Sequence, residues 1–509
     1  LITYVSRKLV SMWNQLIGKK GRITSHHSPP LRTKDVQLDN NYVKDLAKKY
    51  TGKLLLRDEI VVQEALFQKL LTYRIFTPIP SIQNGLFFTK CIRCNNKKKS
   101  LFAEIPCSRC QKRHRYCRNC INMGRVMECE HLYYWSGERY RWPQLKSPCT
   151  WNGTLTEAQQ HAADKIMETV KRGGEQLVWA VTGAGKTEML FQGITTALEL
   201  GKRVCIATPR ADVVRELLPR LQRAFTSLHI QALYSGSRDN DGTAQLMIAT
   251  THQLLRYQHA FDVLIIDEID AFPFHHDKSL QFAARRAAKK NAARIYLTAT
   301  PRKKLRNRVM TKKIDYVFVP VRFHGLPLEI PNLFYCSSLK RRLENNMLPE
   351  KFIQWLKERE KPTRQMLIFV PTIQLANSLR EPLISLFLHH QLISNQKEMI
   401  SVHAEDKVRE EKITSFREKK IYALITTTIL ERGVTFPSID VAVLDAGHII
   451  FDEAALVQIT GRAGRSPVDP KGEVVFFHDG KTDAMIMARD SILEMNKRAM
   501  KLTTNSKKE

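Results

Sequence analysis

The chain has 509 residues, with 81 Lys and Arg against 50 Asp and Glu, for a formal net charge of +31. That length allows roughly three to four domains of about 150 residues each, and a positive excess of this size suits a polyanionic partner, nucleic acid before an anionic membrane surface. No apolar run approaches the ~18 residues that would span a bilayer, and no secretory core with a small-residue cleavage site is present, so a soluble cytoplasmic protein is expected.

Residues 1–18 carry apolar residues at helical spacing with Arg7 and Lys8 interleaved, a pattern that suits packing on the body of the protein. A second helical pattern runs near Arg57 to Tyr73 and breaks at Pro78 and Pro80. Residues 1–85 form an N-terminal region without a legible function. Three CxxC pairs follow, Cys91/Cys94, Cys107/Cys110 and Cys117/Cys120, and then Cys129. In a cytosolic chain such knuckles place paired thiolates on one tetrahedral Zn²⁺ instead of forming disulfides, which predicts a zinc module over residues 86–148. The 22 residues between Cys94 and Cys117 suit paired knuckles. A further site using Cys107 and Cys110 with Cys129 or His131 stays open. Arg113 and Arg115 interleave with Phe102 and Tyr116 near the cysteines. Cations that track phosphate beside rings that stack bases make this face a candidate single-strand grip.

A change of domain falls near Cys149. Apolar runs then alternate with helical patterns: Leu177 to Val181, Val204 to Thr208, Leu246 to Thr250, Val263 to Ile266 and Arg294 to Leu297. The pattern breaks from Pro320 to Pro331 and resumes at Met366 to Val370, Ile400 to His403, Tyr422 to Ile425, Val441 to Leu444 and Val474 to Phe477. This alternation predicts an α/β protein with two tandem parallel-sheet domains, over 149–328 and 329–509, behind the cysteine module. The basic runs Arg285–Arg286 with Lys289–Lys290, and Arg302 to Lys313, are expected as helix surfaces in general contact with polyanion.

The first strand of that series leads into AVTGAGKT, Ala180 to Thr187. Thr182, Gly183 and Gly185 let backbone N–H groups close on a polyphosphate, with Lys186 facing the β/γ-phosphates and Thr187 the Mg²⁺. Val263 to Ile266 ends in Asp267-Glu268-Ile269-Asp270. Carboxylates there sit where α/β sheets hold ligands, so Asp267 is read as a Mg²⁺ group and Glu268 as the base that polarises the attacking water. Thr208-Pro209-Arg210 and Thr250-Thr251-His252-Gln253 each follow a strand and suit contact with a phosphodiester backbone without base readout. Thr298 and Thr300, after another strand, suit a relay between γ-phosphate and strand grip. In the second half, Thr426 to Thr435 contains Thr427 and Gly433, and Gln458 to Arg465 carries Arg462 and Arg465. Arginines on a second domain reach a γ-phosphate only on closure, which makes Arg462 and Arg465 finger candidates.

In this order GAGKT, TPR, TTHQ, DEID, TAT, TTTILERGVT and QITGRAGR closely resemble the motifs of superfamily-two helicases and translocases, with RecA-like motor domains, over about 155–480. Leu155-Thr156 with Gln159 resembles the adenine-reading element of that superfamily, with Gln160 an equal claimant, so ATP is the implied nucleotide. AVTGAGKTEML, ATTHQLLRY, IIDEIDAFP, TTTILERGVTFP, FFHDGKT and YCRNCINMGRV are similar to strings of the late competence protein ComFA family of transformable Gram-positive bacteria. The resemblance implies a motor on single-stranded DNA that powers DNA uptake at the inner face of the membrane, with competence proteins and a membrane DNA channel as partners. It also selects Cys91, Cys94, Cys117 and Cys120 as the zinc quartet. The alternatives are a primosome-type replication restart helicase and an ATP-switched single-stranded DNA platform without processive movement.

Overall fold

The computed structural model describes residues 40–237 and 241–505. The helical segment expected over residues 1–18 lies outside them. Among the described residues no helix is long and apolar enough to cross a membrane.

The N-terminal part has short strands: β1 Leu54–Leu55, β2 Phe76–Pro80, β3 Ile82–Asn84, β4 Thr89–Cys91, β5 Phe102–Pro106, β6 Arg113–Cys117, β7 Val126–Met127 and β8 His131–Trp135. They make a sheet of order β1-β8-β2, a β3–β4 hairpin and a β5-β6-β7 meander. Because β8 pairs with both β1 and β2, one sheet crosses the division placed at residue 86. Tyr50, Phe67, Phe76 and Trp135 form the small aromatic core beneath that sheet.

The first large sheet comprises β9 Gly174–Ala180, β10 Val204–Thr208, β11 Ile230–Leu233, β12 Leu246–Thr250, β13 Phe261–Ile266, β14 Ala288–Thr298 and β15 Asp315–Val319. Its order is β11-β12-β10-β13-β14-β9-β15, and every pairing is parallel. Every residue of β10 and β12 is buried, as expected for strands covered by helices on both faces. The covering helix Ala211–Ala224 shows why: Val213, Val214, Leu217, Leu221 and Ala224 recur at helical spacing and are its buried face.

The second large sheet comprises β16 Asn332–Tyr335, β17 Gln365–Phe369, β18 Met399–Val402, β19 Ala423–Thr426, β20 Ile439–Leu444 and β21 Val474–His478. Its order is β16-β21-β20-β17-β19-β18, again all parallel. The expected two-sheet architecture is therefore present, with residues 320–331 joining β15 to β16. A single apolar cluster runs through both domains, from Val178, Ile206 and Val213 to Val434, Val441 and Phe476.

The basic stretch around residue 286 departs from its expected role as a polyanion-facing helix surface. Lys289 and Lys290 belong to β14, and Lys289 pairs with Asp262 at 2.8 Å. Arg286 turns inward, donating to the carbonyls of Tyr257 at 3.0 Å, Leu255 at 2.6 Å, Arg93 at 2.6 Å and Ile92 at 3.2 Å. These carbonyls belong to both the cysteine module and the first sheet domain, so the side chain ties the two together.

Candidate active site and metal centre

β9 ends at buried Ala180, and the chain turns through Gly183 (φ 76°) and Gly185 (φ 71°) before a helix begins at Lys186. Both glycines hold left-handed backbone that side chains resist, and a Cβ on Gly185 would also press on the Gln159 amide. Lys186 Nζ donates to the carbonyls of Ala180 and Val181, each at 3.0 Å. Burial lowers the Lys186 pKa to about 8, although Asp267 and Glu268 oppose the shift. Gln159 accepts from the Thr156 N–H at 2.8 Å and donates to the Ala184 carbonyl at 2.9 Å, so one amide caps its helix and braces the loop. Gln160 instead bonds Asp164 and Gln192.

Asp267 follows β13, and its Oδ1 accepts the N–H of Glu268 at 2.9 Å. Burial and then the Glu268 carboxylate push the Asp267 pKa up to about 7. Burial also raises Glu268, against the pull of Arg432 and Arg210. Glu268 sits at φ 54°, and its Oε2 is buried without a hydrogen-bond partner.

A cavity of about 670 Å³ joins these groups to the second domain: Lys186, Thr187, Asp267 and Glu268 line one side, Arg462 and Arg465 the other. Gln159, Thr182, Gly183, Gly185 and Gly433 also line it. Arg462 Nε donates to the Glu431 carbonyl at 3.0 Å and Arg465 Nε to the Gly461 carbonyl at 2.7 Å. Burial lowers the pKa of both guanidinium groups, a cost that an anion between them would offset. The domains approach closely enough that a Cβ on Gly461 would overlap the Thr182 hydroxyl.

The same closure is held by pairs that sequence reasoning did not single out. Asp270 accepts from Thr298 Oγ1 at 2.5 Å, Thr300 Oγ1 at 2.6 Å and Arg432 Nη2 at 2.6 Å. Arg302 and Arg306, expected only as a basic helix surface, reach Asp452 at 3.0 Å and Glu453 at 2.7 Å. Arg210 donates to the carbonyls of Thr428 and Ile429 and pairs with Glu431 at 2.9 Å, spanning the domains from its place after Pro209. Arg432 had one signal, its position directly before Gly433. The other members of the expected strand grip lie at strand ends: the Thr208 and Thr251 hydroxyls are buried without partners, and half-buried Thr427 follows β19.

Cys91, Cys94, Cys117 and Cys120 are all buried, and their Sγ atoms lie within 4.8 Å of one another. The closest approaches are 3.8 Å between Cys91 and Cys120 and 3.6 Å between Cys94 and Cys117. Four sulfurs at ~2.3 Å from a tetrahedral ion stand about 3.8 Å apart, so this donor set fits Zn²⁺. Arg113 and Arg115 are exposed on β6, where Arg115 contacts Glu104 and the Thr89 hydroxyl, each at 3.3 Å.

Three family models cover most of the chain: "Competence protein ComFA N-terminal domain" over 38–134, "Type III restriction enzyme, res subunit" over 152–303 and "Helicase conserved C-terminal domain" over 347–467. The chain is 43% identical to the competence protein ComFA of Bacillus subtilis over 470 residues, covering 92% of this chain and 98% of that protein. It is 37% identical to ComFA of Streptococcus pneumoniae, over 88% of this chain and 98% of the relative. With identity at that level across nearly the whole length of both relatives, and with two helicase domains behind a cysteine module, the chain belongs to the competence protein ComFA family.

Proposed function

We propose that this chain is an ATP-dependent motor on single-stranded DNA that drives DNA uptake in natural transformation. The observation that carries the reading is the shared cavity, in which Lys186, Asp267 and Glu268 of one sheet domain face Arg462 and Arg465 of the next. In this reading the domains divide as 149–328 and 329–509, and ATP is the substrate that bridges them. Lys186 and the loop amides hold its β/γ-phosphates, and Gln159 faces the adenine. Thr187 and Asp267 hold Mg²⁺, which when bound neutralises phosphate charge. Glu268 takes the proton of the attacking water, and Arg462 and Arg465 stabilise charge that develops at the γ-phosphate. Cys91, Cys94, Cys117 and Cys120 hold a structural Zn²⁺.

The strand path uses Thr208, Pro209, Arg210, Thr251 and Thr427, with Arg113 and Arg115 on the module as an outer grip. Family membership supports partners in the competence machinery, including a membrane DNA channel, and a cytoplasmic location. The direct test measures displacement of a protein block from single-stranded DNA during ATP turnover. A motor clears the block in wild type and not in Glu268→Gln; turnover without displacement would favour an ATP-switched platform.

A further inference from the structure

Three of the six cysteines outside the buried quartet form a cluster of their own. The Sγ atoms of Cys107, Cys110 and Cys129 lie within 4.8 Å of one another, although the residues come from a hairpin turn and from the segment after β7. Cys107 and Cys129 approach to 3.7 Å, close to the ~3.8 Å that separates two sulfurs on one tetrahedral ion. Cys110 Sγ lies 3.1 Å from Nε2 of half-buried His114, which stands outside the three-sulfur cluster and reaches a shared ion by a rotation of its side chain.

The backbone supplies independent support. In the quartet, the Cys91 N–H donates to the Asn96 carbonyl at 3.0 Å, the Asn95 N–H donates to the Cys91 carbonyl at 2.8 Å, and Asn95 has φ 60°. The second loop repeats each feature: the Cys107 N–H donates to the Lys112 carbonyl at 2.9 Å, the Gln111 N–H to the Cys107 carbonyl at 2.9 Å, and Gln111 has φ 59°. A left-handed glutamine is unfavourable unless the surrounding structure requires it. Here it closes a knuckle of the same shape as the one that aims Cys91 and Cys94 at a common point.

We propose that the chain binds a second zinc ion through Cys107, Cys110 and Cys129, with His114 as the fourth ligand. His131, the histidine considered from sequence, is exposed on β8 and packs beside Tyr133. A second ion gives the β5–β6 hairpin a metal at each end, because β6 runs from the Cys107–Lys112 turn to Cys117 of the first cluster. Arg113 and Arg115 lie between the two, on a strand fixed at both termini.

The test uses the full chain reconstituted with zinc sulfate, freed of loose metal by gel filtration and assayed by elemental analysis. Wild type carries two zinc ions per chain, the Cys110→Ser/Cys129→Ser variant carries one, and basal ATP hydrolysis is unchanged between them. His114→Ala loses the second ion to a chelator first. Cobalt substituted into the weaker site shows tetrahedral ligand-field bands with three thiolates. Equal zinc content in wild type and the double-serine variant overturns the second site. If Cys117→Ala nevertheless loses zinc, the first site stands without it.

Discussion

Arg432 Nη2 donates to Asp270 Oδ2 at 2.6 Å across the boundary between the two helicase domains, with both side chains buried. The Asp270 carboxylate also receives the Thr298 and Thr300 hydroxyls, so the end of β14 is linked to the second domain through one acid. Removing the arginine leaves an uncompensated buried charge, which typically costs about 3–5 kcal/mol. If the whole of that cost falls on the closed state that hydrolyses ATP, Arg432→Ala lowers ATP turnover by roughly 10²- to 10⁴-fold. In a double-mutant cycle, Asp270→Asn with Arg432→Gln loses less than the sum of the single changes. Additive losses in steady-state kinetics would show that the pair does not couple the domains.

The same pair predicts an acid response. Burial alone would raise the Asp270 pKa from its ordinary 3.8, but Arg432 and the two hydroxyls hold it at about 2. A carboxylate depressed by folding adds stability that is complete above its unfolded value and is lost as pH falls toward the folded one. Wild type should lose thermal stability relative to Asp270→Asn between about pH 4 and pH 2. Parallel pH profiles of melting temperature for the two proteins would contradict this.

Glu268→Gln should retain nucleotide binding and stall turnover, because only the proton acceptor is removed. Lys186→Ala should weaken binding itself. Arg462→Ala and Arg465→Ala should cut turnover with little change in nucleotide affinity. Fluorescent-nucleotide titration and single-turnover hydrolysis separate these outcomes.

Arg286 joins the cysteine module to the first helicase domain, so its removal should be felt at a distance. Arg286→Ala leaves carbonyls of both parts unsatisfied at about 1–3 kcal/mol each. Hydrogen exchange should then rise at residues 91–94 and 255–257 together, while basal ATP hydrolysis persists. Protection unchanged at both segments would show that the module is anchored elsewhere.

Charge reversal at Arg113 and Arg115 should weaken single-strand binding across sequences and flatten its salt dependence, since each phosphate contact releases counterions. Unchanged affinity and slope would place the strand path in the helicase domains alone.

The inner strands of both sheets were legible because burial on two faces imposes continuous apolar runs, and β10 and β12 have the bounds expected of them. β11, β15 and β16 were not, and each is an edge strand. β15 reads Asp-Tyr-Val-Phe-Val with its first two residues exposed, so it lacks such a run. At the site, the glycine loop and the acid pair each lie on contiguous residues, so the sequence could single them out, and both line the shared cavity. The Arg432–Asp270 pair, separated by 162 residues, depends on how the domains close, and no local pattern encodes that. His114 was overlooked for a related reason: a hairpin turn, not a fixed ligand spacing, brings it to Cys110.

The most direct test of the proposed motor is ATP hydrolysis measured with single-stranded DNA, duplex DNA and RNA at one salt concentration, in wild type and Glu268→Gln. The account predicts strong stimulation of wild type by single-stranded DNA, less by the other two, and none in the variant. Hydrolysis indifferent to nucleic acid, or equal in the two proteins, would contradict it.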